Sequence, residues 1–407
     1  MVEAPVAGFV LILVAAAIVA VVVKFVPVPY VSALALVGIA AGAILGHGQV
    51  HLTPSLILLV LLPGLLFEAA FNLSWAHLRA NLPAVVALAT VGVVLTTAVV
   101  APLGHYALGL AVPIAILFGA MVAPTDPVAV VAVFRKLHAP ERLVNLIEAE
   151  SLLNDGTGVI LFTVALAATV PGAQPSLLGS VLDFARLAAG GLALGLAVGF
   201  GLSLVTSRVD DFQVEMTLTA IAAYGGYLLA EQVHVSGILA VVAAGLVLGS
   251  YGRPRAMSER TAEAIGHSWD YVAFALNSVV FLLIGLDVPI QAVLDHLGVV
   301  LGAAAIALLA RAAPVYLLLG SLHLVRSGVS LRWQHLIVWG GLRGTVALAL
   351  ALSISGRGGQ FAIVTQLVYG VVLVSLLVQG TTIGPLTRAL LRPVNDAELP
   401  RTADGVP

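Results

Sequence analysis

Of the 407 residues in the chain, 60% are hydrophobic and only 9% are charged, an apolar content that no soluble core could bury. A net charge of -2 gives no reason to expect a nucleic-acid partner, and the absence of cysteine excludes disulfides and thiol chemistry. The chain therefore reads as an all-α polytopic membrane protein, because roughly 20 apolar residues cross the hydrocarbon layer as a helix and the short alternating strands of a barrel are missing.

In chain order, polar, proline and glycine punctuation separates apolar segments at 6–26, 30–46, 54–72, 82–103, 109–134, 142–170, 177–205, 213–230, 236–250, 268–286, 293–322, 334–354 and 360–390, about 13 transmembrane helices. The first run is too long for a signal peptide and lacks a basic start, so it is read as a spanning helix. Fourteen of the eighteen Lys and Arg residues follow odd-numbered helices or open the next one, Arg135, Lys136, Arg253 and Arg255 among them. Cytoplasmic loops collect basic residues, which predicts a multi-pass protein with its N-terminus outside and its C-terminus cytoplasmic. Residues 392–407 are expected to form a short cytoplasmic tail, too short for a regulatory domain.

The fifth segment contains Ala123-Pro124-Thr125-Asp126-Pro127. Each proline removes a backbone donor, so the helix is expected to break there and to leave carbonyls beside a carboxylate. Non-helical backbone at membrane depth survives only inside protein or along a water-filled cavity, and such carbonyls suit a small dehydrating cation. The twelfth segment is interrupted in the same way by Gly340-Gly341-Leu342-Arg343-Gly344. Broken spans at corresponding places in two halves point to two inverted six-helix repeats, with the breaks crossing near the membrane midplane.

The sixth segment carries Glu150-Ser151-Leu152-Leu153-Asn154-Asp155. An ionisable side chain at the centre of a membrane helix costs about 2.5–3.5 kcal/mol even on lenient scales, so such residues usually mark an ion or proton path. Ser151 and Asp155 share one helix face, and Glu150 and Asn154 share a neighbouring one. Asp155 lies roughly 20 Å from the helix start at Arg142, near midplane depth. A carboxylate withdrawn from water holds its charge only at a cost, so Asp155 is assigned as the group for which proton and cation compete, with Ser151 as a neutral oxygen ligand. Glu150 needs a cationic partner, and Arg311 and Arg343 are the two candidates. Paired with Arg311 it would be structural, while Arg343 in the second break would balance the negative half-helix ends and Asp126 the positive ends. Two readings stand for Glu68 on the third segment: a carboxylate facing the same cavity, or one placed at the inner interface. The ten histidines show no metal-ligand spacing.

These motifs resemble those of the monovalent cation/proton antiporters, in the NhaP and NHE sodium/proton exchanger branch. The matches run in order through Leu62-Pro63-Gly64-Leu65-Leu66-Phe67-Glu68, the Ala123–Val130 and Glu150–Gly156 stretches, Ser236-Gly237-Ile238-Leu239-Ala240 and Gly340–Gly344. The resemblance implies an elevator-type homodimer. Its dimerisation domain would comprise helices 6–72 and 213–286, its core ion-translocating domain helices 82–170 and 293–390, and 177–205 would link them. It also implies that Asp155 binds the ion, that Asn154 is its neighbour in an Asn-Asp pair, that Thr125 offers a backbone ligand with Asp126 and Ser151 close by, and that Glu150 and Arg311 form the buried ion pair. Members with an Asn-Asp pair are typically electroneutral.

The expectation is a secondary active Na+(Li+)/H+ antiporter of the bacterial plasma membrane, exchanging one cation for one proton and using no cofactor. A K+/H+ antiporter of the same fold is the nearest alternative, and a cation channel is a more distant one. An intramembrane enzyme is disfavoured, since neither Asp126 nor Asp155 sits in a Gly-x-Gly-Asp motif and no His-Glu-x-x-His motif occurs.

Overall fold

A computed structural model describes residues 3–26, 28–45, 53–170, 172, 176–323 and 328–391, and the expected tail at 392–407 lies outside them. Every regular element among the described residues is helical. In chain order these are α1 (Glu3–Val22), α2 (Tyr30–Leu45), α3 (Leu56–Asn72), α4 (Trp75–Leu108), α5 (Val112–Val122), α6 (Val128–Lys136), α7 (Glu141–Ala167), α8 (Leu177–Thr206) and α9 (212–232). There follow α10 (Gly237–Ala256), α11 (Glu259–Asp287), a short α12 (Ile290–Asp295), α13 (Leu297–His323), α14 (Leu331–Trp339), α15 (Thr345–Ile354) and α16 (Gln360–Leu390).

Local chemistry sets many of the ends. Ser176, Asp211, Ser236, Ser258 and Ser330 each accept a backbone N–H of the first turn of α8, α9, α10, α11 and α14. Gly109 closes α4 in the left-handed conformation at φ 69°. Two helices start well before the apolar runs that announce them. α4 starts at Trp75 rather than 82, because Pro83 frees a carbonyl only at the exposed end around Arg79, where water can reach it. α11 starts at Glu259 rather than 268, since its polar first turns still bury Ala262, Ile265 and Trp269 along one stripe.

Six helices, α4, α8, α10, α11, α13 and α16, are long and apolar enough to cross a membrane by length and composition. α7 has the length, at 27 residues, but polar side chains from Glu148 to Asp155 interrupt its apolar run. Exposed Leu, Ile, Val and Phe side chains cover the outer faces, as on α8, where a lipid environment would meet them.

The helices pack in two groups. α2 lies along α11, α8 along α10, and α3 against both α10 and α11; α4 packs on α5 and α13, and α16 on α13 and α15. α7 belongs to the second group through α4 and α5 and touches α10 and α3 of the first, so it lies where the groups meet. Small residues allow the closest approaches. A Cβ on Gly195 of α8 would stand 2.8 Å from the Cα of Ala240 on α10 and collide with the Ala240 carbonyl, so the two helices meet backbone to backbone.

Candidate functional site

The backbone leaves its helical path twice in the second packing group. α5 stops at Val122 and α6 begins at Val128; α14 stops at Trp339 and α15 begins at Thr345. The two interruptions touch, since the Asp126 N–H donates to the Leu342 carbonyl at 2.8 Å. Asp126 lies between two helix starts: Oδ1 accepts the Val128 N–H at 3.1 Å, and Oδ2 receives the Thr345 hydroxyl at 3.4 Å and N–H at 3.5 Å. One carboxylate thus faces the positive ends of α6 and α15 together. The first break is seated on α7 at Gly158, where a Cβ would come within 3.0 Å of the Pro124 ring.

The four polar residues of α7 divide by face. Glu150 and Asn154 point into protein, at 1% and 0% exposure. Glu150 is gripped by Arg311 of α13 through two parallel bonds, Nη1 to Oε1 at 2.9 Å and Nη2 to Oε2 at 2.7 Å. Asn154 donates to Glu150 Oε1 at 2.7 Å and to Thr125 Oγ1 at 2.8 Å, while its Oδ1 accepts the Thr125 N–H at 3.2 Å. The pair and the amide therefore tie the first break to α7 and α13. On the other face, the Ser151 hydroxyl donates to the Thr125 carbonyl. Asp155, one turn on, receives a hydrogen bond from no group among the described residues.

Ser151, Asp155, Thr125 and Asp126 line a cavity of about 820 Å³ whose lining also includes the exposed side chain of Arg135. Glu68 of α3 is also part of its lining, near the charged groups at the surface. Asn72 donates to Glu68 at 2.9 Å and to Asp270 of α11 at 3.2 Å, and Arg135 pairs with Glu148 at 2.6 Å. The cavity thus runs from a charged mouth to the uncommitted carboxylate of Asp155.

Arg343 does not reach Glu150. Its guanidinium, 2% exposed, donates to the carbonyl oxygens of Gly341 at 2.5 Å and Ala307 at 3.3 Å, and its Nε has no hydrogen-bond partner among the described residues. Gly341 lies just past the end of α14, so the cation sits among carbonyls at the negative end of that half-helix. Several participants were missed in the sequence, the Arg135–Glu148 pair, Thr345, Asn72 and Asp270 among them. Thr345 had a usable signal, standing at the first position after the second break. Asn72 and Asp270 lie 198 residues apart and meet only through the packing of α3 on α11.

Two interrupted helices in contact beside a carboxylate-lined cavity are an arrangement of the kind found in membrane transporters. The sodium/hydrogen exchanger transmembrane family matches residues 10–389, and the chain belongs to that family. It is 40% identical over 357 residues to the Na+/H+ antiporter ApNhaP of Aphanothece halophytica, covering 87% of this chain and 68% of that protein. It is 36% identical over 341 residues to the Na+/H+ antiporter NhaP of Pseudomonas aeruginosa, covering 81% and 80% respectively. Among solved structures, the sodium proton antiporter MjNhaP1 of Methanocaldococcus jannaschii superposes with a TM-score of 0.78 at 23% identity, over 95% of this chain and 98% of that one, so the two share a fold.

Proposed function

We propose that this protein is a secondary active antiporter that exchanges Na+ or Li+ for H+ at Asp155, one for one. The observation that carries the reading is the pairing of an open cavity with a carboxylate at its inner end that receives no hydrogen bond from the described protein, next to the Thr125 carbonyl and the Ser151 hydroxyl. A hydroxyl that donates its proton to a carbonyl still has lone pairs for a cation, and a carbonyl oxygen has a second lone pair. Asp155, Ser151 and Thr125 can therefore act as oxygen ligands together, with Asp126 and Glu68 adding negative charge at the cavity wall. Asn154, Glu150 and Arg311 act behind them as a brace, because their side chains are buried in the protein and none of the three lines the cavity.

Coupling follows from electrostatics. A bare Asp155 carboxylate crossing a dry barrier is costly, whereas the protonated or cation-loaded form is neutral and can cross. Each transit then carries either a proton or a cation, which makes exchange obligatory and electroneutral. The moving part would be the core of helices 82–170 and 293–390, shifting against a dimerisation part of 6–72 and 213–286 in a homodimer, with 177–205 as linker. By the charge pattern Arg135 lies on the cytoplasmic side, so a cavity that opens at Arg135 is inward-facing. The setting is the plasma membrane, with the N-terminus outside.

The test is dequenching of a pH-sensitive dye in proteoliposomes on adding Na+, Li+ or K+. Dequenching by Na+ and Li+ supports the proposal. A response to K+ alone would make the protein a K+/H+ antiporter, and cation currents without coupled proton movement would make it a channel.

A further inference from the structure

The second break is held from behind by a side chain that has no part in the carboxylate chemistry. α16 widens to a π-helical turn over Ser375–Gln379, a local geometry that recurs at functional sites. The turn is built into its surroundings: Ser32 of α2 donates to the Leu376 carbonyl at 2.9 Å, and Gln379 donates to the Trp339 carbonyl, the last of α14, at 2.9 Å. Ser375, 3% exposed, accepts the Arg343 N–H at 3.1 Å and keeps its own proton for the Val372 carbonyl at 2.8 Å or the Arg343 carbonyl at 3.2 Å.

The Arg343 N–H and the Leu342 C=O belong to one rigid, planar peptide group. That C=O accepts the Asp126 N–H at 2.8 Å. The Asp126 N–H in turn shares its peptide plane with the Thr125 C=O, which accepts the Ser151 hydroxyl. A single line of hydrogen bonds therefore runs from Ser375 through two peptide planes, one from each break, to the carbonyl beside Asp155. Peptide dipoles aligned in this way also polarise one another. We propose that Ser375 is a positioning residue for the transported cation, setting the direction and electron density of the Thr125 carbonyl from across both breaks. The proposal rests on the reading of Thr125 as a cation ligand and extends that ligand's support to a helix outside the site.

The experiment compares Ser375→Ala and Ser375→Thr with the unmodified protein in proteoliposomes, varying Na+ and Li+. Ser375→Ala should raise the apparent KM for Na+ about five-fold, the worth of one neutral hydrogen bond, and keep the maximal rate, and Ser375→Thr should restore the KM. A merely structural role would lower the maximal rate and thermal stability and leave the KM in place, and that result overturns the proposal. Amide hydrogen exchange gives a second readout that needs no transport: in Ser375→Ala, exchange should quicken both at 340–345 and at 124–128. Quickening at 340–345 alone overturns the proposal too. If the unmodified protein exchanges no alkali cation for protons, the antiport reading fails, and the exchange pattern still decides whether Ser375 reaches Thr125.

Discussion

At the scale of single residues, the two acidic groups five positions apart on α7 should respond to substitution in opposite ways. Asp155→Asn keeps size and polarity and removes the charge; exchange in proteoliposomes should fall to background while melting temperature is kept, and full exchange in this variant would refute the site assignment. Glu150→Gln leaves Arg311 buried without its counter-ion, and breaking such a pair costs about 3–5 kcal/mol. The variant should melt well below the unmodified protein, and Glu150→Gln combined with Arg311→Met should recover much of the loss, as measured by thermal unfolding in detergent. That Glu150 and Asn154 share one face and Ser151 and Asp155 another was legible from helical spacing, because four residues on a helix return to one face. What spacing could not supply was the choice of partner for Glu150. Arg311 and Arg343 both lie in apolar surroundings, and only the packing of α13 brings Arg311 to the carboxylate while Arg343 turns to the Gly341 and Ala307 carbonyls.

At the scale of elements, interruptions were easier to read than helix ends. Pro124 and Pro127 remove two helical bonds within one turn, where single prolines such as Pro83 and Pro102 are carried inside a helix, so the first break is written in the chemistry of its own residues. The starts of α4 and α11 are not, because Pro83 is harmless where water reaches the freed carbonyl and an amphipathic turn continues a helix past its apolar run. The π-helical turns, such as Ser375–Gln379, left no recognisable trace, since they depend on partners such as Ser32 that arrive from elsewhere in the chain. The close packing of α8 on α10 gives a prediction at this scale. Gly195→Ala drives a Cβ into the Ala240 carbonyl, so the helices must separate; overpacking of this kind costs about 1–3 kcal/mol and should appear as a lowered melting temperature.

At the scale of the whole molecule, the proposed cycle moves no net charge, because Asp155 crosses only when neutralised. Each charge carried across 100 mV would change the driving force by about 2.3 kcal/mol, so an imposed membrane potential should leave the exchange rate unchanged. A rate that follows the potential would contradict electroneutrality while leaving antiport in place. The central claim is that one carboxylate takes either a proton or an alkali cation, and its most direct measurement is the apparent KM for Na+ as a function of pH in proteoliposomes. On the acid side, where protons hold the site, competition predicts that the KM rises about tenfold for each unit of pH lowered, with the maximal rate at saturating Na+ maintained. A KM that stays constant across that range while the maximal rate alone falls would show that proton and cation bind at separate places, and the account would be wrong.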